Sequence, residues 1–355
     1  MGYVLPAAID RAIYFAVAPA SDQRCSIYAV DVGEVFEFTL DGFRRSDAGW
    51  PNYLMGVVDQ LLGAGYRLSG FNSVFGGDIP IGAGVSSSAA LETGLAYALN
   101  HTFELGIDNL SLVKIAQKAE NEFVGVRCGI MDQFASVFGL KDHVLRIDCR
   151  SLEHVYTPFD TSDTSILLFN SGVSHSLASS EYNRRREECA EGVQAIRQRY
   201  PDVQSLRDAS PEMVEASAHA MTSPVYRRCR YVVEENARVL RACDLLRDSD
   251  FPAFGLLLRQ THEGLRGLFE VSCRELDFLV DAVGDEPGVY GSRLMGGGFG
   301  GCTINIVRSE AVESVSSRTA EKYRHAFNID LQTYVMSIDS GTSLLVDSKV
   351  TSRIT

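Results

Sequence analysis

The 355-residue chain has no Gly-Lys-Ser/Thr after a glycine-rich loop, so the Walker A signature is absent. No apolar run is long enough to span a bilayer. The N-terminus lacks the basic start, apolar core and small-residue cleavage site of a signal peptide. Basic residues are scarce: 33 Lys and Arg against 46 Asp and Glu leave a formal charge of −13, which argues against a protein that grips a nucleic-acid backbone. The eight cysteines are scattered, with no Cys-x-x-Cys pair and no His-rich neighbourhood. Neither a zinc site nor a disulfide framework is expected; reduced thiols in the cytoplasm are. Internal repeats and low-complexity linkers are also missing. What remains is an ordinary globular chain, one large domain or, as expected, two, with no sign of a nucleic-acid or membrane partner. Its acidity does not exclude a nucleotide that brings its own magnesium.

The most informative stretch is Pro80-Ile81-Gly82-Ala83-Gly84-Val85-Ser86-Ser87-Ser88-Ala89-Ala90. Two glycines at alternate positions precede three serines and then an alanine-rich run that favours helix. A loop with bare backbone N–H groups opening into a helix brings the positive end of the helix dipole and the unpaired first-turn amides to one spot. Glycine admits a bulky anion, and serine hydroxyls bond phosphate or ligate magnesium. The stretch therefore reads as a nucleotide phosphate cradle. The plainer alternative is a surface loop with a serine N-cap. The dinucleotide fingerprint does not fit, because Ser87 stands where its third glycine belongs.

Along the chain, 4–19, Ser26–Val30 and Val35–Leu40 read as extended. Pro51–Leu62 reads as a helix with Leu54, Val57, Val58, Leu61 and Leu62 on one side. Gly70–Phe75 is a strand into the Gly/Ser loop, and a helix comes next through Leu91–Leu99. Leu110–Phe123 is amphipathic, Gly129–Val137 a helix and Val144–Asp148 a strand. Ile166–Asn170 is an apolar strand before the charged helix Ser179–Arg199. The stretch 211–283 is mostly helical in pattern. Gly291–Met295 enters the run Gly296-Gly297-Gly298-Phe299-Gly300-Gly301, then come strand Cys302–Val307, helix Val312–Phe327 and strand Leu331–Ser337. The shift from strand-rich to helix-rich places a boundary near residue 165. The glycine run precedes a strand, which excludes a Rossmann site. It is either a tight turn against a ligand or the phosphate loop, or a β-turn between elements. Arg184-Arg185-Arg186 reads as a solvated helix face paired with Glu187 and Glu188.

Four segments together resemble galactokinases, a branch of the GHMP small-molecule kinases. They are the Gly/Ser loop, Cys128-Gly129-Ile130-Met131-Asp132-Gln133, Asn170-Ser171 with His175-Ser176-Leu177-Ala178-Ser179-Ser180-Glu181-Tyr182, and Met295–Cys302. The resemblance runs over essentially the whole chain. It implies an α+β, two-domain fold (1–165 and 166–355) with the active site in the cleft between domains. The implied reaction is phosphorylation of D-galactose at the anomeric hydroxyl by ATP with Mg2+, in galactose catabolism. Gly82, Gly84, Ser86, Ser87 and Ser88 would line the triphosphate, with Ser87 and Glu120 holding magnesium, a hard cation suited to hydroxyl and carboxylate. Trp50 and Tyr53 would flank adenine. Asp132 would take or orient the proton of the attacking hydroxyl, and Gly129, Asp132 and Tyr182 would contact the sugar.

Each residue also has a plain structural reading. Glu120 could lie on a solvated helix face, with Glu122 as internal control. Asp132 could cap a helix, Tyr182 could pack at a domain interface, and Trp50 and Tyr53 could be core. In the resembled family a segment ending in Arg…Gly-Glu-His-Thr-Asp-Tyr-Asn precedes the equivalent of Gly2-Tyr3-Val4-Leu5-Pro6, whereas only Met1 stands there in this sequence. That segment carries a phosphoryl-stabilising arginine and sugar-binding side chains. A misassigned or truncated start is the expectation.

Overall fold

The computed structural model describes residues 2–80, 83–174 and 178–345. In chain order the elements are β1 (Tyr3–Val4), β2 (Ile13–Pro19), β3 (Arg24–Ala29), β4 (Glu34–Thr39), α1 (Pro51–Gly63), β5 (Phe71–Gly77), α2 (Ser87–Thr102), α3 (Asn109–Lys118) and α4 (Met131–Phe138). The second half continues with β6 (His143–Asp148), β7 (His154–Pro158), β8 (Thr164–Ser174), α5 (Ala178–Arg197), α6 (Pro211–Ala216), α7 (Ser223–Arg247), α8 (Phe251–Gly264) and α9 (Arg274–Val283). It closes with β9 (Val289–Leu294), β10 (Gly300–Arg308), α10 (Val312–Phe327) and β11 (Gln332–Met336).

These elements form two compact units that interleave in sequence. One comprises the described residues of 7–79, 86–141 and 338–355. Its sheet has the order β2-β5-β3-β4, with β3 and β5 parallel and the other neighbours antiparallel. Its core is apolar residues at the spacing expected of each element: Ile27 and Phe71 from alternating strand positions, Leu54, Val57, Val58 and Leu61 from α1, and Leu95 and Leu99 from α2. The other unit comprises the described residues of 1–6, 80–85 and 142–337. It holds the sheets β1-β6-β7 and β11-β8-β10-β9 and the helices α5 to α10. A single cut near residue 165 would pass through this unit, inside β8. The composition shift there marks the start of the long helices, while β6 and β7 belong to the same unit as those helices.

Two stretches differ locally from the sequence reading. The extended stretch 4–19 is two strands in separate sheets. The amphipathic stretch Leu110–Phe123 is not one α-helix: α3 ends at Lys118 and a π-helical turn runs over Ala119–Val124. Such turns rotate the side chains beyond them out of the α-helical phase. Gly56 of α1 lets this turn approach closely, since a Cβ there would lie 3.1 Å from the Ala119 carbonyl oxygen. Strand β7 has no counterpart in the reading; its half-exposed His-Val-Tyr-Thr-Pro sequence carries little apolar signal.

The glycine run is a tight turn between β9 and β10. Phe299 donates its N–H to the Val271 carbonyl at 2.7 Å. Gly298 has φ +81°, and a Cβ on it would stand 2.1 Å from that same carbonyl oxygen. The basic run is also more than a solvated face. Arg184 pairs with Glu188 at 3.2 Å, but Arg185 is buried, donating to the carbonyls of Phe269 (2.7 Å) and Glu270 (2.9 Å). Arg228 of α7 joins it, 3.0 Å from Glu188 and 2.6 Å from Glu270. α5 is thus pinned to the turn that leads into Val271.

Substitutions within the glycine run separate these constraints. Gly298→Ala is expected to cost about 2 kcal/mol or more, from a left-handed backbone and a backbone clash together. Gly297→Ala, whose nearest neighbour would be the Tyr182 ring at an ordinary 3.7 Å, is expected to stay within about 0.5 kcal/mol. Urea denaturation of the two variants measures the difference.

Candidate active site

The Gly/Ser loop delivers its serines to the start of α2. Gly84 has φ +71° and open space around it, while Gly82 lies outside the described residues. Ser87 and Ser88 are the first residues of α2 and are half-buried. Ser86 is its N-cap, but the side chain makes no cap hydrogen bond. The Ser86 hydroxyl instead donates to Asp132 Oδ2 at 2.7 Å. The plain N-cap reading of the serines therefore fails at Ser86.

Asp132 lies in the first turn of α4 and is half-buried. Its side chain caps no helix; the N-cap position is Ile130, which makes no side-chain cap bond. Burial pushes its carboxyl above the ordinary aspartate range, and the Ser86 hydroxyl draws it partly back. Gly129, three residues earlier, is exposed, with nothing near the position of a Cβ. Its backbone is open to a ligand.

Glu120 is the second residue of the π turn and is 7% exposed, whereas Glu122, two residues on, is exposed and accepts from Gln60 at 3.3 Å. The contrast removes the solvated-face reading of Glu120. Around it stand residues the sequence reading did not single out. Gln133 Nε2 donates to Glu120 Oε2 at 2.8 Å and to Glu92 Oε2 at 3.1 Å. The Cys128 thiol donates to the same Glu120 oxygen at 3.3 Å. Of the loop serines, Ser88 is the one that draws the Glu120 carboxyl back down. Glu92 is fully buried on α2, one turn beyond Ser88. The only sequence signal for it was a charged residue inside an alanine-rich helix. Gln133 closes the Cys128–Gln133 motif, where it had no role attached.

Two carboxyls share this pocket, and no Lys, Arg or His forms an ion pair with Glu92, Glu120 or Asp132 among the described residues. Desolvation first, then the charge of Glu120, pushes Glu92 up to about 9. Glu120 is raised too, mainly by burial and partly by Asp132, while the Cys128 and Ser88 bonds oppose the shift. The Cys128 thiol is pushed up to about 12 and stays a neutral donor. The donor set fits a hard divalent cation: a buried carboxylate without a cationic partner beside serine hydroxyls at a helix start.

The aromatic pair separates. Trp50 packs edge-on against Phe75 (5.5 Å) and Phe36 (6.3 Å) and donates from its indole to Glu34 at 2.8 Å. Tyr53, on the next turn of α1, lies in the field of Glu120, Glu92 and Cys128; burial first, and then those charges, raise its hydroxyl. Tyr182, in the other unit, is 37% exposed on α5 and lies against Gly297 of the glycine turn. His175 to Leu177 of the same motif lie outside the described residues. In that unit a Cβ on Gly301 would stand 4.0 Å from the Ala83 carbonyl of the Gly/Ser loop.

The Glu92 proton makes a stability prediction. With its folded pKa far above the unfolded value of 4.5, its contribution is full below about pH 4.5 and is lost as pH rises through about 9. Without metal or nucleotide, wild-type stability is expected to fall relative to Glu92→Gln by at most about 1.4 kcal/mol per pH unit across that window. Urea titrations in EDTA at several pH values test it; parallel profiles would refute it.

Residues 52–140 match the GHMP kinases N terminal domain and residues 242–325 the GHMP kinases C terminal domain. The chain is 41% identical over 347 residues to the galactokinase of Roseiflexus sp. (strain RS-1), covering 98% of this chain and 88% of that one. It is 41% identical over 340 residues to the galactokinase of Thermotoga maritima, covering 96% and 93%. The crystal structure of Lactococcus lactis galactokinase complexed with galactose matches at TM-score 0.92 and 33% identity, over 97% of this chain and 90% of that one. Mevalonate kinase, at 16% identity and TM-score 0.63, shares the fold. With this α+β architecture, both GHMP domains and this level of identity over nearly its whole length, the chain belongs to the galactokinase family of the GHMP kinases.

Proposed function

We infer that this chain is a sugar kinase that transfers the γ-phosphoryl group of ATP to the anomeric hydroxyl of D-galactose, giving galactose 1-phosphate and ADP. The observation that carries the site assignment is Asp132, partly buried, free of ion pairs among the described residues and held by Ser86 where the Gly/Ser loop becomes α2. A kinase of this kind works by positioning and charge stabilisation. The Gly/Ser loop and the first turn of α2 cradle the phosphates with backbone N–H groups and serine hydroxyls. Asp132 accepts, or orients, the proton of the sugar hydroxyl as that oxygen bonds to the γ-phosphorus and the bond to the β–γ bridging oxygen breaks. Its raised basicity suits that task.

Ser87 and Glu120 are proposed to hold magnesium. Bound there with ATP, the cation would supply positive charge that offsets the negative charge of the phosphates. Gln133 and the Cys128 thiol keep Glu120 Oε2 oriented from below. Tyr182 and the backbone of Gly129 are proposed to contact the sugar, and Trp50 and Tyr53 the adenine. For Trp50 this requires the exposed part of a ring already packed on Phe75. Eight free cysteines accord with a cytoplasmic setting. Among the described residues no helix is long and apolar enough to cross a membrane.

Sugar-dependent ADP release across a panel of hexoses, pentoses and amino sugars tests the reading, with galactose expected to give the highest kcat/KM. Asp132→Asn is expected to lower kcat by about a hundred- to ten-thousand-fold with nucleotide affinity kept. Glu120→Gln is expected to raise the magnesium concentration for half-maximal rate by about tenfold. No galactose-dependent turnover by the wild type would refute the assignment.

A further inference from the structure

We propose that Ser86 is a positioning residue that sets the rotamer of Asp132, and not a ligand of the nucleotide phosphates. Three observations point the same way. The Ser86 hydroxyl donates to Asp132 Oδ2 at 2.7 Å. The residue occupies the N-cap of α2, where a serine ordinarily has extended backbone and its oxygen accepts an N–H two or three residues on; Ser86 makes no such bond. Its backbone is left-handed, φ 62° and ψ 45°, a conformation uncommon for residues other than glycine. The hydroxyl is turned away from the capping position and towards α4 by the backbone itself.

The bond is also the end of a row. Thr93 and Ser136 share a hydrogen bond at 2.7 Å, and Gln133 reaches Glu92 at 3.1 Å, so α2 and α4 are joined at three levels. Ser136 is tied further by Thr342, whose N–H donates to its carbonyl at 2.7 Å. Helix α4 therefore cannot rotate freely beneath Asp132, and the carboxylate rotamer is the remaining freedom at the reacting end. A donor on Oδ2 fixes it and leaves Oδ1 to face the acceptor hydroxyl. Because Ser86 is the residue at which the phosphate loop becomes α2, the base is registered directly to the loop that holds the phosphates. The inference rests on the functional reading above and extends it to a residue for which that reading foresaw phosphate contact.

The test uses the full chain carrying Ser86→Gly, Ser86→Ala, Asp132→Asn, or both Ser86→Gly and Asp132→Asn. Steady-state kinetics with ATP and galactose are combined with calorimetry of MgATP binding. Glycine relieves the left-handed backbone and alanine retains it, so equal losses in the two variants assign the effect to the hydroxyl. Positioning predicts that kcat falls by about ten- to a hundredfold, that KM and Kd for MgATP change by less than about threefold, and that the double variant is no slower than Asp132→Asn. A Kd for MgATP raised about tenfold with kcat retained would make Ser86 a phosphate ligand and overturn the proposal; so would losses that multiply in the double variant. If the wild type does not turn over galactose, the functional reading falls on its own. A crystal structure of Ser86→Gly then decides: an Asp132 carboxylate in a new rotamer supports the proposal, and an unchanged rotamer overturns it.

Discussion

Buried carboxyls with no ion-pair partner among the described residues are the constraint on which the Gly/Ser-loop end of this protein depends. Glu92, Glu120 and Asp132 converge on the start of α2, and burying a carboxylate is costly unless hydrogen bonds or an opposite charge compensate. The chain compensates with neutral donors. Gln133 spans two of the carboxyls with one amide, Cys128 contributes a thiol that burial keeps protonated, and Ser86 and Ser88 contribute hydroxyls.

Geometry for that cluster comes from ordinary packing. Gly56 brings α1 against the π turn, within which Glu120 is buried and Glu122 is exposed. The core of Leu54, Leu61, Leu95 and Leu99 holds α1 and α2 in place. In the other unit a comparable economy operates with opposite chemistry. Arg185 and Arg228 are buried, and each is paired with acidic side chains and backbone carbonyls, so that the charged network carries its own compensation. Its effect is to fix α5, with Tyr182, to the segment against which the glycine turn is folded.

Much of the architecture was legible in the order of residues. Periodicity located α1, α10 and the strands around Ile27, Phe36 and Leu167, because each has one face in a core and the spacing must match 3.6 or 2. The Gly/Ser loop was legible because glycine and serine there answer to a local backbone requirement. Asp132, Glu120 and Tyr182 are singled out only by motif resemblance, since an isolated acidic or aromatic residue carries no distinguishing local signal. The reading failed where long-range contacts decide. Arg185 looked like its neighbours Arg184 and Arg186, and only the carbonyls of Phe269 and Glu270, over eighty residues away in sequence, make it a buried anchor. Strand β7, with exposed Val155 and Tyr156, had too little burial to show a pattern.

By itself the sequence determined the acidic, cysteine-scattered globular class, the glycine- and serine-rich loop before α2 and most element positions, because these arise from composition, local backbone preference and amphipathic period. Tertiary structure alone decided which serine meets which carboxylate, which of two nearby glutamates is buried, and that the N-cap serine of α2 caps nothing and holds Asp132. The physical reason is range. Propensity and period act over a few residues, whereas burial, desolvation and a 2.7 Å hydrogen bond between residues 86 and 132 exist only once distant segments have packed.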